Sequence, residues 1–321
     1  MIDLVYPCHK KDIITLKLAI RYARKNIKDL NNIYVISKDK LIDDAIWIKE
    51  DDYPFSYKDI CDIIGNHNRT GWYYQQLLKL NVHKCKNISL NENFIISCAD
   101  NLFISPVSFL ENDKSLFNLS PNDGTPYYFE FLNKLIPGFK KQLTQTWSGT
   151  VHHTVVKKKI LQHMTDTVEK IHKVPFWKAF LLTIKQKYNC ENKFLGNETI
   201  KDGPGRSSDY DTYVNYALQY FPKMVKIRML KSVLAYKGHL NVKGENFTKT
   251  HVSRTNLSLY NNRIQIIPPN IELENEFETL EDALEFHISA CQKMGFVQVT
   301  FQNHTRQGSN NVTGNAHGDK R

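Results

Sequence analysis

Four short clusters gather the side chains that can do chemistry. In ENFIISCADNLFIS, Glu92 to Ser105, an apolar run opens onto Cys98, Asp100 and Asn101. An Asp-x-Asp pair at a strand end is a way to hold a divalent metal against a nucleotide diphosphate, but here the first position is Cys98 and only Asp100 is acidic. In SSDYDTYVNYAL, Ser207 to Leu218, Asp209 and Asp211 stand at the start of an amphipathic stretch. A carboxylate within hydrogen-bond reach of a hydroxyl can take its proton. Residues two apart do not share a helical face. One or both can instead cap the helix, a role for which Ser207 and Ser208 compete. His152 and His153 are potential ligands to a metal or an acceptor. Neighbours in a strand point to opposite faces, so at most one of them faces a site, and we place His153 there. The cations are Arg69 and Lys79, bracketing Trp72, Tyr73 and Tyr74, which either stack on a planar ligand or fill the core. Gln75 and Gln76 cannot both point inward.

The elements that must position these residues alternate. IDLVYP (Ile2 to Pro7) is an apolar strand closed by Pro; DIITLKLAIRYARKNI carries apolar residues at helical spacing behind Asp12 as N-cap; NIYVISK is a second buried strand. Strand, helix and strand in that order make a βαβ unit with parallel strands. A third strand is expected in DAIWIKEDDYPF, helices at Tyr57 to Ile64 and Gly71 to Lys84, and the fourth strand is the one that ends at Asp100. In open α/β sheets ligands bind at the carboxyl ends of the strands, so this is the right edge for a site. Further on, SLFNLS and QTWSGTVHHTVV read as strands, TPYYFEFLNKLI as a helix, and residues 157–187 as helix-rich. Gly and Pro break NETIKDGPGRSS into a loop before the helix of Asp209 and Asp211. VKIRMLKSVLAYKGH is expected as one late strand ending near His239, followed by a helix in TLEDALEFHISACQKMG and a strand in FVQVTFQ.

Composition frames these readings. With 321 residues, 41% of them apolar, the chain is long enough to bury a large core. We expect one domain over 1–305 and a disordered tail over 306–321. The balance of 43 Lys and Arg against 33 Asp and Glu favours anionic partners. Because the basic residues are scattered, with Lys157-Lys158-Lys159 the longest run, a nucleic-acid-binding arm is not expected. Six separated cysteines without C-x-x-C exclude zinc-ribbon and thioredoxin-like motifs. The N-terminus lacks the apolar core of a signal peptide and no window is long enough to span a bilayer, so a cytoplasmic protein is expected.

NRTGWYYQQLLKL (Asn68 to Leu80), CADNLFISP (Cys98 to Pro106), GTVHHTVVKKKIL (Gly149 to Leu161) and SSDYDTYVNYAL occur in an order and spacing that resemble a loosely characterised family from bacteria and large DNA viruses, similar to GT-A glycosyltransferases. The resemblance covers roughly residues 1–240, and its most specific element is GWYxQQ. The chain departs from the family pattern in two places. Cys98 stands where the family has the first Asp of its acidic motif, and Asp209 and Asp211 stand where it has Glu.

The resemblance implies a GT-A-like, Rossmann-type mixed α/β sheet flanked by helices, with a helical segment in the second half. It implies an enzyme moving a sugar from a nucleotide-sugar donor to a hydroxyl of a glycan or related acceptor, assisted by Mn²⁺ or Mg²⁺. Asp100 becomes the principal metal ligand and His239 the second; Asn101 and His153 line the donor site; Pro7, Cys8 and His9 grip the base, largely by backbone. Arg69 and Lys79 face the diphosphate, with Arg206 a further cation should no metal bind, and Asp209 or Asp211 becomes the base. Two carboxylate or imidazole ligands plus diphosphate oxygens suit a hard cation, whereas Cys98 does not. The alternative is a non-catalytic nucleotide-binding or scaffold protein descended from such an enzyme, motivated by Cys98.

Overall fold

The computed structural model describes residues 1–67, 69–121, 126–143, 147–186, 207–236, 242–243, 258–260, 263–265 and 276–302. Its elements run β1 (Ile2–Pro7), α1 (Ile13–Asn26), β2 (Leu30–Ser37), β3 (Ile46–Lys49), α2 (Tyr57–Ile64), α3 (Thr70–Leu80), β4 (Asn93–Ser97), β5 (Asn101–Phe103), β6 (Leu110–Glu111), β7 (Lys114–Asn118) and β8 (Ser120–Pro121). They continue with α4 (Pro126–Leu135), β9 (Trp147–Ser148), β10 (His153–Lys157), α5 (Lys158–His172), α6 (Phe176–Ile184), α7 (Asp209–Tyr220), β11 (Val225–Arg228), β12 (Ser232–Tyr236), β13 (Ser258–Tyr260), β14 (Arg263–Gln265), α8 (Leu280–Lys293) and β15 (Gln298–Gln302). The fold class is the expected one, a mixed α/β sheet flanked by helices. Two compact units are drawn from alternating segments: 1–9, 28–98 and 108–229 in the first, 10–27, 99–107 and 230–321 in the second.

The first unit is built on a five-stranded sheet in the order β10-β4-β1-β2-β3. β1 lies parallel to β2 and β4, β2 parallel to β3, and β10 closes one edge antiparallel to β4. All six residues of β1 are buried, as a central parallel strand covered on both faces requires. At its start Asp3, fully buried, accepts hydrogen bonds from Asn31 Nδ2, the Asn32 amide, and the amide and Nδ2 of Asn91, which ties the start of β2 and the loop before β4 to β1. The helices α2 to α7 and the sheet share one core that includes Tyr73, Leu77, Ile96, Phe131, Phe180 and Tyr213. Ser56 caps α2 with a reciprocal box to Asp59. A second sheet, β11-β7-β6, and the short pair β8-β9 complete the unit.

In the second unit β12, β15 and β5 form a three-stranded sheet, with β12 parallel and β5 antiparallel to β15. α1 packs on β5, where Asn26 Nδ2 donates to the Phe103 carbonyl at 2.8 Å. Tyr22 Oη and Arg21 reach Glu285 of α8. Asp12 holds the N-cap position of α1, but its side chain makes no capping bond. β13 and β14 form an antiparallel pair.

Three expected elements divide. The chain predicted as one strand through 225–239 is two, β11 joining β7 and β12 joining β15. The stretch from Gln145 to Val156 gives β9 and β10, with His152 outside both at φ 62°, so His152 and His153 are not neighbours in one strand. The helix expected through Lys84 ends at Leu80 and continues as a 3-10 turn over Val82–Lys84. Arg206, His239 and the tail expected over 306–321 lie outside the described residues. Among the described residues no helix is long and apolar enough to cross a membrane.

Candidate functional site

The carboxyl end of β4 is where three of the four sequence clusters meet helix α3. Opposite Ser97 the register places His153 of β10, and the Cys98 amide donates to the His152 carbonyl at 2.9 Å. The loop that enters β10 is held by α7. Asp211 Oδ2 accepts from Ser148 Oγ at 2.7 Å and Thr150 Oγ1 at 3.1 Å, while Oδ1 accepts from the Gly149 amide at 2.7 Å. Gly149 is required there: a Cβ would meet Val214 Cγ2 at 2.9 Å. Ser208 caps α7, its Oγ accepting from the Asp211 amide at 3.1 Å, and both carboxylates in the first turn complement the helix dipole.

Asp209 points the other way, into the seam between α7 and α3. Its Oδ2 lies 3.1 Å from Lys79 Nζ, with side chains 9% and 3% exposed. The distance is that of an ion pair, yet Oδ2 has no partner in hydrogen-bond geometry, so we read the contact as coulombic. Lys79 aims its protons elsewhere: Nζ donates to Tyr210 Oη at 3.2 Å, sits 3.7 Å from Cys98 Sγ, and lies 4.5 Å from the Tyr210 ring centroid. Having accepted from Lys79, Tyr210 Oη keeps its own proton for Cys98 Sγ at 3.2 Å. Just before α7, Ser207 Oγ donates to Gln76 Oε1 at 3.0 Å. Gln76 is buried and Gln75 half-buried, in keeping with one inward amide.

His153 is fully enclosed. Its Nδ1 bonds the Val151 carbonyl at 3.1 Å, which makes Nδ1 the protonated nitrogen, and Nε2 accepts from Asn118 Nδ2 at 2.6 Å. Asn118 Oδ1 in turn accepts from Arg228 Nε at 3.1 Å. Burial, reinforced by the nearby positive charge of Arg228, pushes the His153 pKa down to about 3. His153 is therefore a neutral tie between β10 and the β7-β11 sheet.

At the end of β1, Pro7 and Cys8 are buried and His9 is exposed, with the Cys8 amide donating to the Ile36 carbonyl at 2.9 Å. Arg69 stands at the N-cap of α3 with its guanidinium 5.8 Å from the Trp72 ring centroid. Tyr73 and Tyr74 belong to the core. Asp100 and Asn101 are described with the second unit: the Asp100 carbonyl accepts from the Phe301 amide at 2.8 Å, and Asn101 Oδ1 accepts from Gln298 Nε2 at 2.6 Å and Thr300 Oγ1 at 2.8 Å. Asn101 is thereby committed to the β5-β15 pairing. Among the described residues no three His, Cys, Asp or Glu side chains gather to hold a metal, and His239 lies outside them. The described donors at Asp100 do not by themselves make a metal site.

Sequence reasoning missed Gln76 as a partner of Ser207, Tyr210, and the loop Ser148–Thr150. Tyr210 lies between the two flagged carboxylates, but nothing local marks it as the partner of a lysine 131 residues away. No protein-family model matches the chain, and no curated protein matches it. Among solved structures it is similar to the galactosyltransferase LgtC in complex with donor and acceptor sugar analogues, with a TM-score of 0.37 and 9% identity over 74% of this chain and 77% of that one. It is also similar to mouse xyloside xylosyltransferase 1 in its apo form, with a TM-score of 0.37 and 8% identity over 73% of this chain and 87% of that one.

Proposed function

We propose that the protein is a glycosyltransferase, moving a sugar from a nucleotide-sugar donor to a hydroxyl of a glycan or related acceptor. The observation that supports this reading is the convergence of four separated blocks. Lys79 from GWYYQQLLK, Cys98 from CADN, Gly149 and His152 from GTVHH, and Asp209 to Asp211 from SSDYD are joined by hydrogen bonds and an ion pair at the carboxyl end of β4. That edge of a parallel sheet is where α/β proteins bind ligands. A leaving diphosphate needs its charge neutralised. In this reading Arg69 supplies part of it, and Asp100 with His239 would hold a divalent cation; such an ion, when bound, stabilises the leaving oxygens. Of the two carboxylates Asp209 is the better base, because both Asp211 oxygens are committed to the Ser148–Thr150 loop. Asn101, His153, Pro7 and His9 serve in this reading by shaping the site rather than by carrying charge.

A second reading, a nucleotide-binding protein without turnover, is favoured by the burial of both carboxylates, 7% exposed each, and by the pairing of Lys79 with Asp209. One experiment separates them: thermal-shift screening of UDP-, GDP-, CDP- and dTDP-sugars with Mn²⁺, followed by transfer or hydrolysis assays on the stabilising donor. Glycosyl transfer predicts stabilisation by one donor class and turnover lost in Asp209→Asn while stabilisation persists. Stabilisation without turnover in the wild type selects the second reading, and no stabilisation by any donor sinks both.

A further inference from the structure

Within the first unit a cavity of about 10 Å³ lies between α3, α7 and the β4-β10 pair. Lys79, Ile96, Thr154, Asp209, Tyr210 and Tyr213 line it. Most of its wall is hydrocarbon, but two lining residues bring a buried oxygen with no hydrogen-bond partner in the protein: Thr154 Oγ1 and Asp209 Oδ2. Thr154 is 6% exposed and Asp209 7%. Thr154 reaches the cavity from β10, opposite Ile96 of β4, and Asp209 from the first turn of α7. Lys79 Nζ is at ion-pair distance from Asp209 Oδ2 without the alignment of a hydrogen bond.

Buried polar atoms of native proteins are satisfied by protein or by ordered water. A buried water needs roughly 10–15 Å³ for its centre and two to four polar partners. The cavity is at the lower end of that size, and two of its lining residues carry an oxygen in need of a partner: Asp209 Oδ2, which can only accept, and Thr154 Oγ1, which can donate or accept. We infer that one buried water molecule sits here, bonded to Thr154 Oγ1 and donating to Asp209 Oδ2, and that Thr154 is through it a positioning residue for the Asp209 carboxylate.

The test compares the wild type with Thr154→Val, which keeps the volume and removes the hydroxyl, and Thr154→Ser, which keeps the hydroxyl and removes a methyl. Crystal structures at a resolution that shows ordered water should hold one density peak bridging Thr154 and Asp209 in the wild type and in T154S, with the Asp209 carboxylate in the same rotamer. In T154V the peak is lost and the carboxylate turns. Melting temperatures give an independent sign. With the water in place, T154V melts below T154S, because Asp209 Oδ2 loses its partner. With a dry cavity, T154V melts at or above the wild type and above T154S, because it removes an unsatisfied hydroxyl and leaves no new void. A wild-type cavity without density, or that second order of melting, overturns the water. An Asp209 carboxylate unmoved in T154V overturns the positioning role.

Discussion

At the scale of single residues, the two carboxylates of the SSDYD cluster have different duties that follow from what surrounds them. Asp211 accepts three hydrogen bonds from the loop before β10 and fixes that loop to α7. Asp209 balances the charge of Lys79 in a seam where both side chains are less than one-tenth exposed. Removing one partner of a buried pair leaves the other charge uncompensated, at a cost of about 3 kcal/mol. Lys79→Met and Asp209→Asn should each destabilise the protein by about that much, and the double variant should cost clearly less than the two together. A urea double-mutant cycle checks this; additive losses would mean that the pair is not coupled. The sequence flagged both carboxylates at the start of an amphipathic helix and Lys79 beside an aromatic cluster. Their pairing was not legible, since a lysine and an aspartate 130 or so positions apart carry no local sign of each other.

At the scale of elements, the meeting of the Ser148–Thr150 loop with the start of α7 is the joint that holds the site together. A methyl at Gly149 would press on Val214 Cγ2 at 2.9 Å and the Tyr210 carbonyl at 3.3 Å, and Val214 and Tyr210 both belong to α7. Gly149→Ala should therefore destabilise by about 2 kcal/mol through overpacking, against about 1 kcal/mol for Ser208→Ala, which removes only a helix cap. Unfolding curves for the two variants, with G149A no worse than S208A, would count against this joint. Most elements could be read from pattern. β1, β2 and β4 each hold an apolar run, Leu4–Tyr6, Ile33–Ile36 and Phe94–Ile96, and α1, α2, α3 and α8 carry helical periodicity. The errors fall where one apolar run serves two partners. Val225 to Tyr236 alternates well enough to be a single strand, but β11 pairs with β7 and β12 with β15. Periodicity reports which residues seek a core, and it is silent on which sheet receives them.

At the scale of the whole molecule, two imidazoles make stability depend on acid, the buried His153 and the half-buried His83. Burial pushes His83 and His153 from the usual 6.5 down to about 3, with neighbouring positive charge adding to it in each case. The unfolded chain therefore binds more protons than the native one between about pH 6.5 and 3, and stability falls as pH is lowered through that window. Each histidine contributes a slope approaching about 1.4 kcal/mol per pH unit. His83→Gln and His153→Gln should each flatten the dependence of unfolding free energy on pH between 6 and 5, which urea titrations at fixed pH measure; an unchanged slope in both would show that neither is held neutral. The formal charge of +10 is likewise a property of the whole chain, and its longest basic run does not form a patch. Lys157 is buried, donating to Asn93 Oδ1 at 2.8 Å and to Asp113 Oδ1 at 3.2 Å. By itself the sequence determined the α/β class, the order of strands and helices, and the short blocks whose side chains can do chemistry, because these depend on periodicity, turn residues and side-chain type within a few residues. Only the tertiary structure decided that Lys79 answers Asp209, that Asp211 holds a loop, that Asn101 is spent within a sheet and that His153 is a neutral tie. Those outcomes depend on burial and on partners far away in the chain, which local sequence does not encode.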